Sequence, residues 1–233
     1  MYNEICLVAA GHDPEGRWVE HLEAANPLLE ELSSTRFVSL TEGTHFSTVD
    51  TALKVGWKVN VEPLAVGSAR FAVIRRGLKT NCDFVNLWDG DRLLYAAIYG
   101  SEELRDIVER IPKYDFFMAG ATREAIATHQ SSMPSWEEVK SWALGSYLGI
   151  KGAIASRGCF GFSREYAEFL VQHENAEGDE TDAIFVILSL AFKKLMSAGQ
   201  LPSTGRETVG YSEYAKATSK ILTEILRGGQ NLS

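Results

Sequence analysis

From Ile5 to Asp91 the chain repeats one order of positions: a short apolar run, a polar loop, then apolar residues at helical spacing. Ile5 to Ala10 reads as a first strand, with Gly11-His12-Asp13-Pro14 leaving its carboxyl end. Trp18, Leu22, Ala25, Leu28, Leu29 and Leu32 then recur at helical spacing, and Pro27 is placed to split that helix. Arg36 to Leu40 is a second strand, followed by the polar loop Thr41-Glu42-Gly43-Thr44-His45. Val49, Leu53 and Val55 predict a short helix stopped by Gly56, and Trp57 to Val61 alternates as a third strand would. Gly67-Ser68-Ala69-Arg70 opens a helix carrying Phe71, Ile74 and Leu78. Phe84 to Trp88, broken only by Asn86, has the length and composition of a buried strand. Strands alternating with helices in this way imply parallel βαβ units.

Beyond Asp91 the pattern changes. Leu93 to Ile98 and Glu102 to Ile111 predict helices, and Tyr114 to Ala119 a strand. Gly120 to Ser146 is less regular and holds His129, Trp136 and Trp142. Gly152 to Ser156 and Cys159 to Ser163 read as short strands around Arg157-Gly158, and Glu165 to His173 as a helix. A long helix is expected from about Glu180 to Ala198, capped by Gly199. Tyr211 to Leu226 reads as a last amphipathic helix. With no linker or internal repeat, the expectation is one α/β domain over 1–233. Its mostly parallel central sheet is flanked by helices, with a nucleotide-type front half (about 1–100) and an irregular back half (about 101–233).

Composition narrows the class. The 233 residues suffice for a substantial core, and 45% hydrophobic with 23% charged residues is ordinary for a globular protein. A formal net charge of −8 argues against a nucleic-acid binder. No apolar run approaches the roughly 18 residues of a membrane span. Cys6, Cys82 and Cys159 lie far apart without a CxxC pair, which predicts buried free thiols and a reducing, cytoplasmic setting.

The chemistry concentrates where the fourth strand ends, at Asp89-Gly90-Asp91. In open α/β sheets ligands sit outside the carboxyl ends of the strands. If the segment stays extended, Asp89 and Asp91 point the same way and can converge on one ion, and Gly90 lets a ligand approach the backbone. Hard oxygen ligands suit Mg2+ or Mn2+ completed by a substrate diphosphate. The same three residues also compose an ordinary solvated acidic turn.

Several stretches, in this order, resemble the nucleotide-sugar-dependent glycosyltransferases of the GT-A fold, particularly the family-2-like and mannosylglycerate-synthase-like enzymes. They are Gly67-Ser68-Ala69-Arg70, Leu87-Trp88-Asp89-Gly90-Asp91, Gly158-Cys159-Phe160-Gly161-Phe162-Ser163-Arg164 and Asp179-Glu180-Thr181-Asp182. The resemblance implies a hexosyltransferase that moves a sugar from a GDP- or UDP-sugar to an acceptor hydroxyl. Asp91 and Asp89 would hold the divalent cation, Mg2+ or Mn2+, and Arg70 would lie near the phosphates or the sugar. The loops after the first strand (Ala9, Ala10, Gly11) and the second (Thr41, Glu42) would hold base and ribose. The cluster Asp179, Glu180 and Asp182 would face the acceptor and supply the base. Two positions depart from the pattern: Phe71 stands where an asparagine is usual, and the base motif reads Asp179-Glu180.

The residues themselves leave plainer uses open. Arg70 could pair with a surface acid, and the acids at 179–182 could serve the helix macrodipole. His12, His45 and His129 show no ligand spacing, and Trp136 and Trp142 suit packing as well as a sugar face. Two other functions stay in view: a catalytically idle nucleotide- or sugar-binding relative, and a nucleotidyltransferase that makes the nucleotide sugar. The C-terminal helix offers the surface for a homo-oligomer.

Overall fold

The computed structural model describes residues 4–63, 66–121, 156–173, 181–197 and 206–214, with single positions between 139 and 149. The front of the chain runs β1 (Ile5–Gly11), α1 (Trp18–Leu32), β2 (Thr35–Thr41), α2 (Phe46–Lys54), β3 (Lys58–Glu62), α3 (Val66–Leu78) and β4 (Phe84–Asp89). There follow α4 (Gly90–Tyr99), α5 (Ser101–Arg110), a 3-10 turn (Ile111–Lys113), β5 (Tyr114–Ala121) and β6 (Ser156–Ser163). The last described elements are α6 (Arg164–Gln172), α7 (Thr181–Ser197) and β7 (Glu207–Tyr214). One sheet contains all these strands in the order β3-β2-β1-β4-β6-β5-β7. β1 is parallel to β2 and to β4, β2 to β3, and β5 to β7. Only β6 runs against its neighbours, β4 and β5.

The core has two faces because strand side chains alternate. Leu7, Ala9, Phe84 and Trp88 face α1, α4 and α5, where Leu22, Leu29, Leu94 and Leu104 are buried with them. Cys6, Val8, Val85 and Leu87 face the opposite layer, with Phe71, Phe160, Phe162, Tyr166 and Phe185. Asn86, the one polar break in β4, is fully satisfied within the core. Its Nδ2 donates to the Phe160 carbonyl at 2.9 Å, and its Oδ1 accepts from Trp88 Nε1 at 2.8 Å. Leaving that amide unpaired would cost about 1–3 kcal/mol. Phe71 is completely buried, edge-on to Phe185 at 5.4 Å, so α3 turns the residue after Arg70 into the core.

Four expectations change. Pro27 sits inside α1 without splitting it, since Leu22, Ala25 and Leu29 bury one continuous face. α4 begins at Gly90, not Leu93, so the acidic pair is not in extended chain. Ser156–Ser163 is one strand, in which Gly158 absorbs a φ of +80°, a left-handed value that favours glycine; residues 152–155 lie outside the described residues. Tyr211 to Tyr214 belong to β7, not to a helix, because β5 would otherwise expose its outer edge. The rest of that predicted helix lies outside the described residues, so nothing described supports an oligomer built on it. The start of β7 is fastened by Arg206, which reaches Glu165 at 3.3 Å and lies over the Phe84 ring at 4.8 Å. Cys6, Cys82 and Cys159 are buried and free. Among the described residues no helix is long and apolar enough to cross a membrane.

The Ser-Arg end of the glycine-rich stretch has a structural job. Ser163 caps α6, accepting from the Tyr166 N–H at 3.2 Å. Arg164 donates to the carbonyls of Leu78 (2.7 Å), Thr80 (2.8 Å) and Cys82 (3.0 Å), the chain just past the end of α3. Arg164→Ala is expected to cost about 1.5–3 kcal/mol, a fall in Tm of roughly 3–12 °C for a chain of this length. Thermal unfolding checks it; an unchanged Tm would mean that water replaces the guanidinium without loss.

Candidate active site

Strand order reverses at β1, which has β2 on one side and β4 on the other. The two crossovers leave a crevice at the carboxyl ends of β1 and β4, where Ala10 lies beside Asp89. Ala9 and Ala10 are buried, and Gly11 is the last residue of its strand. The loop that follows is organised by Asp13, which the sequence reading passed over. Asp13 is buried, and its carboxylate accepts the Arg17 and Trp18 N–H groups, both at 2.9 Å, and the Thr48 hydroxyl at 2.6 Å. Its carbonyl accepts the His45 N–H at 2.8 Å. One aspartate thus satisfies the start of α1 and ties the β1 loop to the β2 loop. The signal was weak because the residue immediately before α1 is Arg17, and the capping acid stands further back.

The two loop histidines are structural. His12 Nδ1 meets the Thr41 hydroxyl at 2.6 Å, and His45 caps α2 by accepting the Ser47 N–H at 3.3 Å. Glu42 is exposed at the end of β2, its N–H donating to the Glu62 carbonyl at 2.9 Å.

Trp18 fills the space between Gly11 and Gly90. A Cβ at either position would collide with the six-membered ring of its indole, 2.2 Å from the nearest ring atom at Gly11 and 2.3 Å at Gly90. Packing therefore accounts for both glycines: the side of each that lacks a Cβ is covered by tryptophan. The same ring lines a narrow apolar cleft with Ala9, Leu40, Thr48 and Leu93.

Asp89 and Asp91 do not converge as alternate residues of a strand. Asp89 ends β4 in extended conformation, at the N-cap position of α4, and Asp91 lies in the first helical turn. Arg70 is buried and donates through Nε (3.1 Å) and Nη2 (2.6 Å) to Asp89 Oδ1. Arg92 Nε stands 3.6 Å from Asp89 Oδ2. Arg70 thus pairs with the very aspartate expected to bind metal, rather than with a surface acid. Gly158 comes so close on the third side that a Cβ there would collide with the Asp89 carboxylate. Asp91 is the other acid, and its Oδ1 accepts the Arg92 N–H at 2.8 Å. Burial pushes its carboxyl above the usual aspartate range, against the pull of Arg92, and the charge of Asp89 adds to the rise.

Among the described residues no three His, Cys, Asp or Glu side chains gather where they could hold a metal ion. Asp179 and Glu180 lie outside the described residues, as do His129 and Trp136. Asp182 is in the first turn of α7, with its side chain outside the description. Trp142 is 74% exposed.

No family model and no curated protein matches the chain. Solved structures do. Glucosyl-3-phosphoglycerate synthase of Mycobacterium tuberculosis superposes with a TM-score of 0.56 at 19% identity, over 98% of this chain and 81% of that one. The same enzyme with Mn2+, UDP-glucose and phosphoglyceric acid gives 0.58 at 17% identity, over 98% and 80% of the two chains. Its complex with Mn2+, UDP and glucosyl-3-phosphoglycerate gives 0.56 at 18%, over 98% and 81%. The fold is that of the GT-A glycosyltransferases. The GT-A sheet accounts for the crevice between β1 and β4, while identity this low leaves the chemistry to this chain's own residues.

Packing at the crevice is testable. Gly90→Ala is expected to cost about 1–3 kcal/mol, because the added methyl must displace the Trp18 ring. In Gly90→Ala/Trp18→Leu the two costs should fall short of their sum by about 0.5–3 kcal/mol. Denaturant unfolding measures both, and strict additivity would separate Gly90 from Trp18.

Proposed function

We propose that the protein is a glycosyltransferase that moves a sugar from a UDP-sugar to an acceptor hydroxyl with the help of a divalent cation. The observation that carries the reading is the charge arrangement at the end of β4, where Asp89, Asp91, Arg70 and Arg92 meet at the crevice of a GT-A sheet. Uridine is preferred over guanosine because the structural neighbours above were solved with UDP or UDP-glucose. The front half, about 1–100, would hold the donor through the Ala9-Ala10-Gly11 and Glu42 loops, and the back half, about 101–233, the acceptor.

The residues fit a hard divalent ion through Asp91. Its carboxyl is raised by burial and by a neighbouring negative charge, an environment that a cation relieves. Asp89, held by Arg70, would contribute orientation and a second oxygen, and the donor's phosphates the remaining ligands. Bound there, Mn2+ or Mg2+ would offset the charge that gathers on the departing diphosphate. Repulsion between a carboxylate and a phosphate about 4 Å apart is roughly 4 kcal/mol at an effective dielectric of 20, which makes a cation between them worthwhile. On the acceptor side Glu180, or else Asp179 or Asp182, would take the hydroxyl's proton.

A second reading has an observation of its own. Asp89 already faces two guanidinium groups, which suits a relative that binds a nucleotide sugar without turning it over. Release of UDP from UDP-glucose across a set of small phosphorylated and sugar acceptors separates the two readings.

With Mn2+, UDP at about 100 times its dissociation constant should add roughly 2.7 kcal/mol of stability, a Tm rise of about 5–11 °C. EDTA should remove most of this rise, and Asp91→Asn should behave in Mn2+ as the wild type does in EDTA. A shift equally large in EDTA would count against the metal. For the base, Glu180→Gln should lower turnover about 10²–10⁴-fold with donor affinity nearly intact, and Asp182→Asn is the parallel variant. Equal losses of turnover and donor affinity would assign Glu180 to structure.

A further inference from the structure

One edge of the sheet is β3, and among the described residues no strand pairs with its outer side. The Glu62 carbonyl accepts the Glu42 N–H at 2.9 Å, so the main chain of Glu62 faces β2. Main-chain groups alternate in direction along a strand that pairs with a parallel neighbour. Lys58, Asn60 and Glu62 therefore turn theirs toward β2, and Val59 and Val61 turn theirs outward. The outward run is bounded at both ends. The Trp57 N–H is spent on the Ala52 carbonyl at 2.9 Å, and Pro63 has no N–H to give. Val61 is 47% exposed and Lys58 is also exposed, so the edge is open to solvent. Lys58 Nζ lies 5.0 Å over the Phe37 ring, and among the described residues no carboxylate pairs with it.

We infer that β3 is the joint of a homodimer, in which the β3 strands of two copies pair antiparallel with Asn60 at the two-fold axis. Val59 then lies opposite the partner's Val61, and each such pair exchanges two main-chain hydrogen bonds, which uses both outward N–H groups of the strand. Lys58 lies opposite the partner's Glu62 in a non-hydrogen-bonded pair, the kind in which facing side chains come closest. Sliding the register by one step fails in either direction. One slide sets Val61 against the partner's Trp57, whose N–H is taken; the other sets Val59 against the partner's Pro63, which has none. Both slides also part Lys58 from the opposing acid. A net charge of −8 opposes self-association in general, so a joint between copies needs local charges that cancel. Lys58-Val59-Asn60-Val61-Glu62 meets that need, since reversal sets each charge against its opposite. An edge lysine by itself guards against strand addition; an acid at the matching place turns the guard into a selector for a second copy. The axis stands perpendicular to the sheet, so the two crevices open at opposite ends of the joined sheet, each complete in its own copy. The inference is independent of the donor reading.

The test is analytical ultracentrifugation across a concentration series, with wild type expected to pass from monomer to dimer as concentration rises. Val61→Pro removes an outward N–H that bonds nothing within its own copy, and with it half of the main-chain bonds across the joint. Its dimer dissociation constant should rise about 10–100-fold, with Tm at low concentration unchanged. Asn60→Cys reads the register directly. Residues facing each other across the axis have Cα atoms about 4.5 Å apart, within reach of a disulfide. Under a mild oxidant Asn60→Cys should give a covalent dimer. Wild type, whose cysteines are buried, should not, and Val61→Cys, off the axis, should cross-link far less. A wild type that stays monomeric at every concentration overturns the inference. So does a dimer that Val61→Pro leaves as tight as wild type, or one in which Asn60→Cys cross-links no better than Val61→Cys. If Val61→Pro does not fold, the cross-linking comparison decides.

Discussion

A carboxylate set into the end of a buried strand gives up part of its hydration and takes hydrogen bonds and a counter-charge in exchange, and the crevice is built on that constraint. Asp89 closes β4, a strand whose residues from Phe84 to Trp88 are buried. Arg70, buried in the second turn of α3, supplies the charge through two hydrogen bonds. A half-buried pair of this kind contributes little net stability, because desolvation consumes much of the attraction. What it fixes is direction: α3, β4 and the first turn of α4 are referred to one point at the mouth of the sheet. Trp18 does the same for the apolar side, bringing β1 and α4 together over a single ring.

The front half was legible because the inner parallel strands read as mostly apolar runs, the edge strand β3 as an alternating one, and the helices between them carry stripes. β1 to β4 therefore appear where the runs from Ile5, Arg36, Trp57 and Phe84 place them, within a residue or two. The acidic pair was placed correctly and shaped wrongly. Gly90, Asp91 and Arg92 carry no apolar stripe, so the helix is visible in sequence only from Leu93. Its polar first turn could be found only from the structure. The roles of Asp13 and Trp18 escaped for a common reason: each acts on residues distant in the chain. Asp13 reaches Thr48, and Trp18 reaches Gly90. The C-terminal helix failed at its first residues because period alone cannot show that β5 has an open edge to fill.

The departures from the family pattern have different physical weights. Phe71 in place of an asparagine is a core residue against Phe185, so that position has been turned over to packing. The Ser163-Arg164 ending, by contrast, is kept for the backbone: it caps one helix and binds the carbonyls after another.

Gly158 stands far along the chain from Asp89, yet its bare Cα leaves the room in which that carboxylate sits. Strand β6 also covers the edge of β4 and runs antiparallel to it. The front half is thus not a separable nucleotide-binding module. A polypeptide ending before β6, during synthesis or after cleavage, would present the Phe84–Trp88 edge unpaired, a template for strand addition by other chains. Because that pairing spans a long stretch of sequence, its loop-closure entropy makes it a late event. The charged crevice therefore matures only when the back half has threaded β6 between β4 and β5. Until then the nascent protein is at its most aggregation-prone.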